Sequence, residues 1–392
     1  MPFLHPANTP AKRLRILGIR GIPAAHGGFE TFAEQLSLYL TARGWEVTVY
    51  CQEDGEGPIT EDKWGDVRRV HIPIKQEGPL GTILFDWKST MHAGESGELC
   101  LTLGYNTAVF CGWLRMKGVT NLINMDGIEW KRAKWGRVAK TWFWLNDWFG
   151  CWLGDHLIAD HPEMKKHLST RVSPDKISMI AYGSPVVESA PVEPIQALGL
   201  EPNRYFTVIA RPEPENSILE IVKGFSSKPR GMTLAVLGKY DGNQPYHRAV
   251  MEAAGKEVRF LGPIYDQNTL ASLRFHNLAY VHGHQVGGTN PSLVEALGAG
   301  NAVIAQDNRF NRWVAGDGAV YFKDAVECSL RFDQLIQNPE QLQKMRDASR
   351  ARHTSSFQWD MILGQYDRLL EAHTRKAPQL HPQVTGTRGT IR

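Results

Sequence analysis

Long hydrophobic runs are missing from this chain of 392 residues: no window holds 18 uninterrupted apolar residues. The sequence therefore predicts no membrane-spanning helix. The N-terminal MPFLHPANTPAKR has no apolar core of signal-peptide length, so the expected location is cytoplasmic, with contact at most to the inner face of the cell membrane. Cysteine is sparse. Cys51, Cys100, Cys111, Cys151 and Cys328 form no C-x-x-C pair and lie mostly in apolar runs, which points to buried free thiols and no disulfide framework. A large charge of one sign is also absent, and a net +3 is too small to mark a nucleic-acid binder. Neither G-x-x-x-x-G-K-S/T nor G-x-S-x-G occurs, which leaves a P-loop NTPase and an α/β-hydrolase without support. The glycine-bearing GIRGIPAAHGG lacks compact G-x-G-x-x-G spacing, so it is not the dinucleotide fingerprint.

What is present is alternation. A hydrophobic share of 42% and a charged share of 22% describe a globular protein, and the length exceeds one typical core, so two domains are expected. Leu14–Ile19 reads as a buried strand. Phe29, Phe32, Ala33, Leu36 and Leu40 then recur at helical spacing, Gly44 ends that helix, and Glu46–Cys51 is a second strand. Such a unit belongs to a parallel sheet. Further strands are expected at 67–74, 99–104, 120–125, 155–159 and 177–181, with helices clearest at 107–117, 138–152 and 162–169. Residues 184–203 carry four prolines and read as a linker. Beyond it the alternation restarts, and helices at 324–338, 339–354 and 359–375 close the pattern. Residues 1–12 and 376–392 read as loose. The sequence thus predicts an α/β protein of two doubly wound domains, 13–184 and 204–356, facing across a cleft. A last helix at 357–375 is expected to return to the first domain.

The stretch 280–306, YVHGHQVGGTNPSLVEALGAGNAVIAQ, concentrates the binding chemistry. Gly283, Gly287 and Gly288 free the backbone to bend and to approach a ligand. Thr289 and Asn290 are N-cap types, Pro291 suits the first helical position, and Gly300 with Asn301 can stop the helix. A helix N-terminus behind a glycine turn presents unpaired N–H groups and a positive dipole end, which suits phosphate. Glu295, one turn in, is placed to accept hydrogen bonds from a ribose diol. The alternative is an ordinary strand–helix–strand unit with a solvated carboxylate. A second glycine turn, Gly27–Gly28, follows the first strand. Ligands of open parallel sheets bind beyond the carboxyl ends of strands, so two such turns in two domains imply one ligand between them. Arg211 lies just past YFTVIA, where its planar fork suits phosphate oxygens. The alternative there is a surface ion pair with Glu213 or Glu215.

HGHQVGGTNPSLVEALGAGNAVIA, the Arg211 strand end and the Gly27–Gly28 turn together resemble a GT-B glycosyltransferase of glycosyltransferase family 4. GIRGIPAAHGGFETFAEQL and NMDGIEWKRAKWG resemble more closely the bacterial subset that adds rhamnose to cell-surface polysaccharides, often on lipid-linked acceptors. The resemblance runs from about Leu14 to Leu370. It implies two Rossmann-like domains, the first binding acceptor and the second the nucleotide sugar. It further implies a retaining hexosyltransferase that moves rhamnose from dTDP-rhamnose onto a glycan or lipid-linked glycan in cell-envelope polysaccharide synthesis. A nucleotide-sugar epimerase of the same fold and a non-catalytic nucleotide-sugar-binding subunit are the alternatives.

The resemblance also carries roles for single residues. In the family a Glu-x7-Glu motif straddles the phosphate-binding turn. Its second Glu, the ribose ligand, matches Glu295, while the first falls at Gly287, so contacts to the donor sugar must differ here. The backbone of Thr289, Asn290, Ser292 and Leu293, behind Gly288, is expected to cradle the diphosphate, with Gly27 and Gly28 opposite. The family's Arg and Lys pair for the diphosphate falls on Arg211 and Asn216, so one cation is lost. Its catalytic-region His is replaced by Asp126, which either orients the acceptor hydroxyl or caps the helix that follows. Of His282 and His284, the second lies nearer the glycines and is favoured as a partner for sugar or acceptor. Asp126, Arg211 and His284 are therefore the candidate catalytic set. Fold members that use a metal generally carry an Asp-x-Asp, which this sequence lacks. The expectation is that no metal or other cofactor is needed, the helix dipole, N–H groups and Arg211 stabilising the leaving diphosphate.

The segment 130–152, WKRAKWGRVAKTWFWLNDWFGCW, holds six of the twelve tryptophans together with Lys131, Arg132, Lys134, Arg137 and Lys140. Basic residues beside aromatic rings suit peripheral contact with an anionic membrane. The alternative is a core helix with a solvated basic loop.

Overall fold

The computed structural model describes residues 12–25, 27–132 and 134–374. Of the termini expected to be loose, 1–12 and 376–392, residues 1–11 and 376–392 lie outside them, as does Arg375, whereas Lys12 belongs to the first strand. Strands β1 (Lys12–Leu17), β2 (Trp45–Asp54), β3 (Thr60–Trp64), β4 (Val67–Ile74), β5 (Leu99–Leu103), β6 (Asn121–Asn124), β7 (His156–Ala159) and β8 (Ile177–Met179) build a first sheet ordered β3-β4-β2-β1-β5-β6-β7-β8. A second sheet, ordered β11-β10-β9-β12-β13-β14, comprises β9 (Tyr205–Ile209), β10 (Thr233–Leu237), β11 (Val258–Gly262), β12 (Ala279–His282), β13 (Val303–Gln306) and β14 (Ala319–Phe322). Apart from β3, which pairs antiparallel with β4, neighbouring strands run parallel. The α/β class and the two parallel-sheet domains expected from the sequence are what the chain forms. Central strands such as Leu14–Leu17 are buried on both faces, as helices on each side of a parallel sheet require.

In each sheet the strand order reverses once, between β1 and β5 and between β9 and β12. Successive crossovers leave in opposite directions there and open a crevice past the carboxyl ends of the strands. The two domains are not merely tethered. Phe32 and Leu36 of the first share one apolar cluster with Leu293, Val294 and Leu297 of the second. The helix Trp359–Thr374 lies on the first domain: the Trp45 indole donates to Asp367 at 2.9 Å, and the rings of Phe32 and Tyr366 stand 4.6 Å apart.

Several elements differ from the sequence reading. Residues 184–203 are not a free linker. Glu193–Ala197 is a short helix, and Ile195 and Leu200 are buried against Tyr205, Ala235 and Leu273 of the second domain. The passage between domains is instead narrow, where the Ser184 N–H donates to the Phe357 carbonyl at 2.9 Å and Ser184 bridges Gln358. The helix Gly78–Gly94, the edge strand β3, the helix Arg309–Ala315 and β14 were not expected. Glycine at 78, 81 and 94 and proline at 79 disguise the first of these, since they break the pattern that marks a helix. All five cysteines are free and buried.

Candidate active site

The two switch points face each other, and a cleft of about 430 Å³ lies between them. Strand ends supply its walls: Asn106 follows β5, Asn124 and Asp126 end β6, Asp160 follows β7, Arg211 follows β9, and His284, Thr289 and Asn290 follow β12. Gly28 opens the helix Gly28–Thr41 at the same place. Backbone turns of the two domains come close there. A Cβ on Gly28 would stand 2.9 Å from Pro291 Cγ, and one on Gly127 would stand 3.5 Å from Gly287 Cα. At Gly28 a side chain would push the domains apart.

On the wall of the second domain, Arg211 is exposed, and among the described residues it forms no ion pair. The pair with Glu213 or Glu215 weighed from the sequence is not made. Glu215 instead receives Arg132 Nη1 from the opposite wall at 3.4 Å, and Arg132 Nε also reaches Glu129 at 2.8 Å. Asn216 is buried, with its amide donating to the Arg211 carbonyl at 2.8 Å, so it braces the loop that presents the guanidinium. His284 lines the cleft, stacked on the wholly buried His282 with centroids 4.4 Å apart. Burial, and then the charges of Arg132 and Arg211, push its pKa down to about 3, so the imidazole is neutral and can donate or accept.

The phosphate seat is partly filled by the protein itself. The Thr289 N–H donates to Asp160 Oδ2 at 2.7 Å, and its hydroxyl donates to the Asp160 carbonyl. Asn290 caps the helix Pro291–Gly298 by accepting the Ser292 N–H at 3.0 Å. Five of the expected donor-site residues do not line the cleft. Gly27 and Gly288 stand behind it, the Ser292 hydroxyl donates to the Ile209 carbonyl at 3.2 Å and also meets Tyr280, and Leu293 is in the core. Glu295 is ion-paired with the buried Arg274. Asp126, Arg211, His284, Gly28, Asn216, Thr289 and Asn290 are brought together.

On the wall of the first domain, Asp126 has a left-handed backbone (φ 49°), a conformation Asp tolerates, and its N–H donates to the Asn124 side chain at 3.1 Å. The 3-10 helix that follows begins at Glu129 with Ile128 before it, so Asp126 is not its cap. Burial raises the pKa of Asp126 against the pull of Arg132. Burial, and then Asp126, raise that of Glu129 and push Asp160 up to about 7. Five carboxyl groups (Asp126, Glu129, Asp160, Glu213, Glu215) and three cations (Arg132, Lys134, Arg211) line the cleft, and burial reduces the negative charge of three of those acids. Sequence reasoning missed Asp160, Glu129 and Arg132 as cleft residues. The signal for Asp160 was available, because it follows the apolar strand HLIA as Arg211 follows YFTVIA.

The basic aromatic segment divides. Arg132 and Lys134 turn into the cleft, and the indoles of Trp130, Trp135 and Trp142 donate to Asp147, Glu129 and the Asn106 carbonyl. Trp144, Trp148 and Trp152 form a row along the outer face of the helix Arg137–Leu153, with centroids 6.3 and 5.3 Å apart. Val138, Trp144, Leu145 and Trp152 are exposed. Among the described residues no helix is long and apolar enough to cross a membrane, and no group of three or more His, Cys, Asp and Glu is arranged to hold a metal ion.

This architecture, two parallel-sheet domains with a cleft between their switch points, is the GT-B fold of glycosyltransferases. Residues 11–185 match a family described as a domain of unknown function (DUF1972). No curated protein sequence matches the chain. The fold is similar to sucrose-phosphate synthase from Thermosynechococcus elongatus, at 18% identity, TM-score 0.78, over 93% of this chain and 99% of that one. It is also similar to HepE from Anabaena in complex with UDP and glucose, at 14% identity, TM-score 0.74, over 92% and 100%. A third likeness is to α,α-trehalose-phosphate synthase (UDP-forming) from Burkholderia xenovorans in complex with glucose-6-phosphate, at 11% identity, TM-score 0.71, over 92% and 100%.

Proposed function

We propose that the protein is a glycosyltransferase that binds a nucleoside-diphosphate sugar against its second domain and an acceptor hydroxyl against its first. The observation that carries this reading is Arg211: a cation with no ion-pair partner among the described residues, at a strand's carboxyl end, in one cleft with a glycine turn and a helix N-terminus. In the reaction the acceptor oxygen forms a bond to the anomeric carbon, and the bond from that carbon to the diphosphate oxygen breaks. The electron pair leaves with the nucleoside diphosphate, where Arg211 and the helix end stabilise it, and the acceptor proton passes to the leaving phosphate oxygen. Asp126, desolvated at the end of β6, orients the acceptor hydroxyl, and the neutral His284 hydrogen-bonds sugar or acceptor. The HepE structure that this fold matches is a complex with UDP and glucose, which supports a nucleotide-sugar donor.

More specifically, the donor we infer is dTDP-rhamnose and the acceptor a glycan or lipid-linked glycan. Transfer is with retention and without a required metal, at the cytoplasmic side of the membrane. The sugar rests on the resemblance of GIRGIPAAHGGFETFAEQL and NMDGIEWKRAKWG to rhamnosyltransferases. Membrane contact draws support from the exposed Trp144, Leu145 and Trp152 beside Arg137. The test is a screen of nucleotide sugars by thermal shift, followed by transfer to a lipid-linked acceptor with EDTA or Mg²⁺. A dTDP-rhamnose shift and transfer in EDTA are expected. Strict Mg²⁺ dependence would refute the metal-free mechanism, and turnover of donor without acceptor would favour an epimerase.

A further inference from the structure

Asp160 belongs to no motif, yet its carboxyl group is the most tightly placed polar group of the cleft. Oδ2 accepts the Thr289 N–H at 2.7 Å, and the Thr289 hydroxyl holds the Asp160 backbone, so the side chain is clamped to the turn of the opposite domain. Oδ1 is buried and, among the described residues, has no hydrogen-bond partner. A buried acceptor left unmade is costly, and such groups stand where a partner arrives. The clamp also explains a glycine, since a Cβ on Gly288 would stand 2.1 Å from Asp160 Oδ1 and 2.2 Å from Oδ2. The carboxyl group of the first domain fills the space that a side chain of the turn would take. Next to it, Gly287 has φ 132°, and nothing lies within 4 Å of where its Cβ would be.

We propose that Asp160 holds the sugar being transferred, its Oδ1 hydrogen-bonded to a hydroxyl of a neutral hexose or deoxyhexose lying in the open space beside Gly287. This rests on reading the cleft as a nucleotide-sugar site. A phosphate is the poorer partner, because it is repelled whenever Asp160 is ionised, with Asp126 nearby. A sugar hydroxyl suits either protonation state. Burial and Asp126 push the pKa to about 7, so near neutrality the group both accepts and donates. The carboxylate that the sequence lacks at 287 is thus supplied from across the cleft, by β7 rather than by the turn.

The test compares Kd for dTDP with Kd for dTDP-rhamnose, and for UDP with UDP-glucose as a second pair, in the wild type, Asp160→Asn and Asp160→Ser. Asn keeps an acceptor for the Thr289 N–H but turns the other atom into a donor. Ser keeps a short acceptor and ends before the open space. The expected result is a Kd ratio, nucleotide sugar over nucleoside diphosphate, about ten-fold higher in Asp160→Ser (about 1.4 kcal/mol), which decides the assignment, and less raised in Asp160→Asn, whose amide can still donate to the hydroxyl, with dTDP affinity unchanged or tighter. Retained dTDP binding also reports a folded cleft, and if the Asn variant does not melt cooperatively the Ser variant decides. A ratio within two-fold of wild type in Asp160→Ser, with nucleoside diphosphate bound, overturns the assignment of Asp160 alone. Failure of the wild type to bind either nucleoside diphosphate overturns the nucleotide-sugar reading, and the inference with it.

Discussion

Burial is the main influence on the acids of the cleft, whereas exposed acids such as Asp62 and Asp307 are governed by the arginines they pair with. Asp86 is the clearest case of burial apart from the site: desolvation raises its carboxyl to about 7, against a Thr107 hydroxyl that donates to it at 2.8 Å. Its folded pKa lies above the unfolded value, so the native state binds the extra proton and Asp86 removes stability as pH rises between about 4 and 7. Asp86→Asn keeps the acceptor for Thr107 and cannot ionise. Relative to wild type it should gain stability by up to about 1.4 kcal/mol per pH unit across that window, read from urea melts at pH 5 and pH 7.5. A difference independent of pH would show that Asp86 is not desolvated as described. Arg211→Ala should mainly lower kcat, on the order of 100-fold (about 2.7 kcal/mol), with KM little changed if the guanidinium acts on the charge that develops on the leaving diphosphate. Arg211 was legible from its place after a strand, His284 from its nearness to the glycines and Asp126 through the family resemblance. Asp160 also follows a recognisable strand and was passed over, and only the fold carries it to Thr289, 129 residues away in sequence.

Elements show the same division between local and long-range signal. The helix Pro291–Gly298 was readable from its turn, its N-cap pair and its proline, all local features. What the N–H groups there bind was not, because Asn290 takes the Ser292 N–H of the helix and Asp160 takes the Thr289 N–H of the turn before it. Glu295 illustrates the cost of that gap. The sequence offered a ribose ligand or a solvated carboxylate, and the structure pairs it with Arg274, which is buried while Glu295 is partly exposed. Glu295→Ala should therefore lower stability by about 1–3 kcal/mol, the lower end reflecting its exposure, since a buried cation loses its partner. A loss of donor affinity beyond what Glu295→Gln shows would add a ribose contact to that structural role, and unchanged affinity in both would remove it from the site. The helix Trp359–Thr374 allows a cleaner measurement. Its Tyr366 hydroxyl accepts from the buried Asn124 amide at 2.9 Å, two residues before Asp126. Tyr366→Phe should cost about 1–3 kcal/mol in a denaturant melt, because the Asn124 amide would stay buried and unpaired.

At the scale of the whole molecule, the two-domain plan was visible as alternation that stops and restarts, but the contact between the domains was not. No local pattern announces that Arg132 crosses the cleft to Glu215, or that Arg309 reaches Glu163 at 2.8 Å. The first of these bridges bears on how a donor enters. The sequence has Asn216 where the family it resembles carries a second cation, and the structure places Arg132 against Glu215, the residue immediately before it. As found, that guanidinium is held by two carboxylates, Glu129 and Glu215, both largely buried. An arriving diphosphate competes with Glu215 for the same donors and is repelled by the carboxylate it displaces. Opposite signs follow for the two partners. Arg132→Ala removes one of three cleft cations and should weaken nucleotide binding about ten-fold (about 1.4 kcal/mol). Glu215→Gln removes the competing charge while keeping a hydrogen-bonding side chain, and should tighten it several-fold. Isothermal titration of the nucleoside diphosphate at low and moderate salt separates the cases, since screening weakens both effects at this partly exposed bridge. If both variants weaken binding equally, the bridge serves only to hold the domains closed. If Glu215→Gln alone tightens it, Arg132 is the cation that replaces the one missing at position 216.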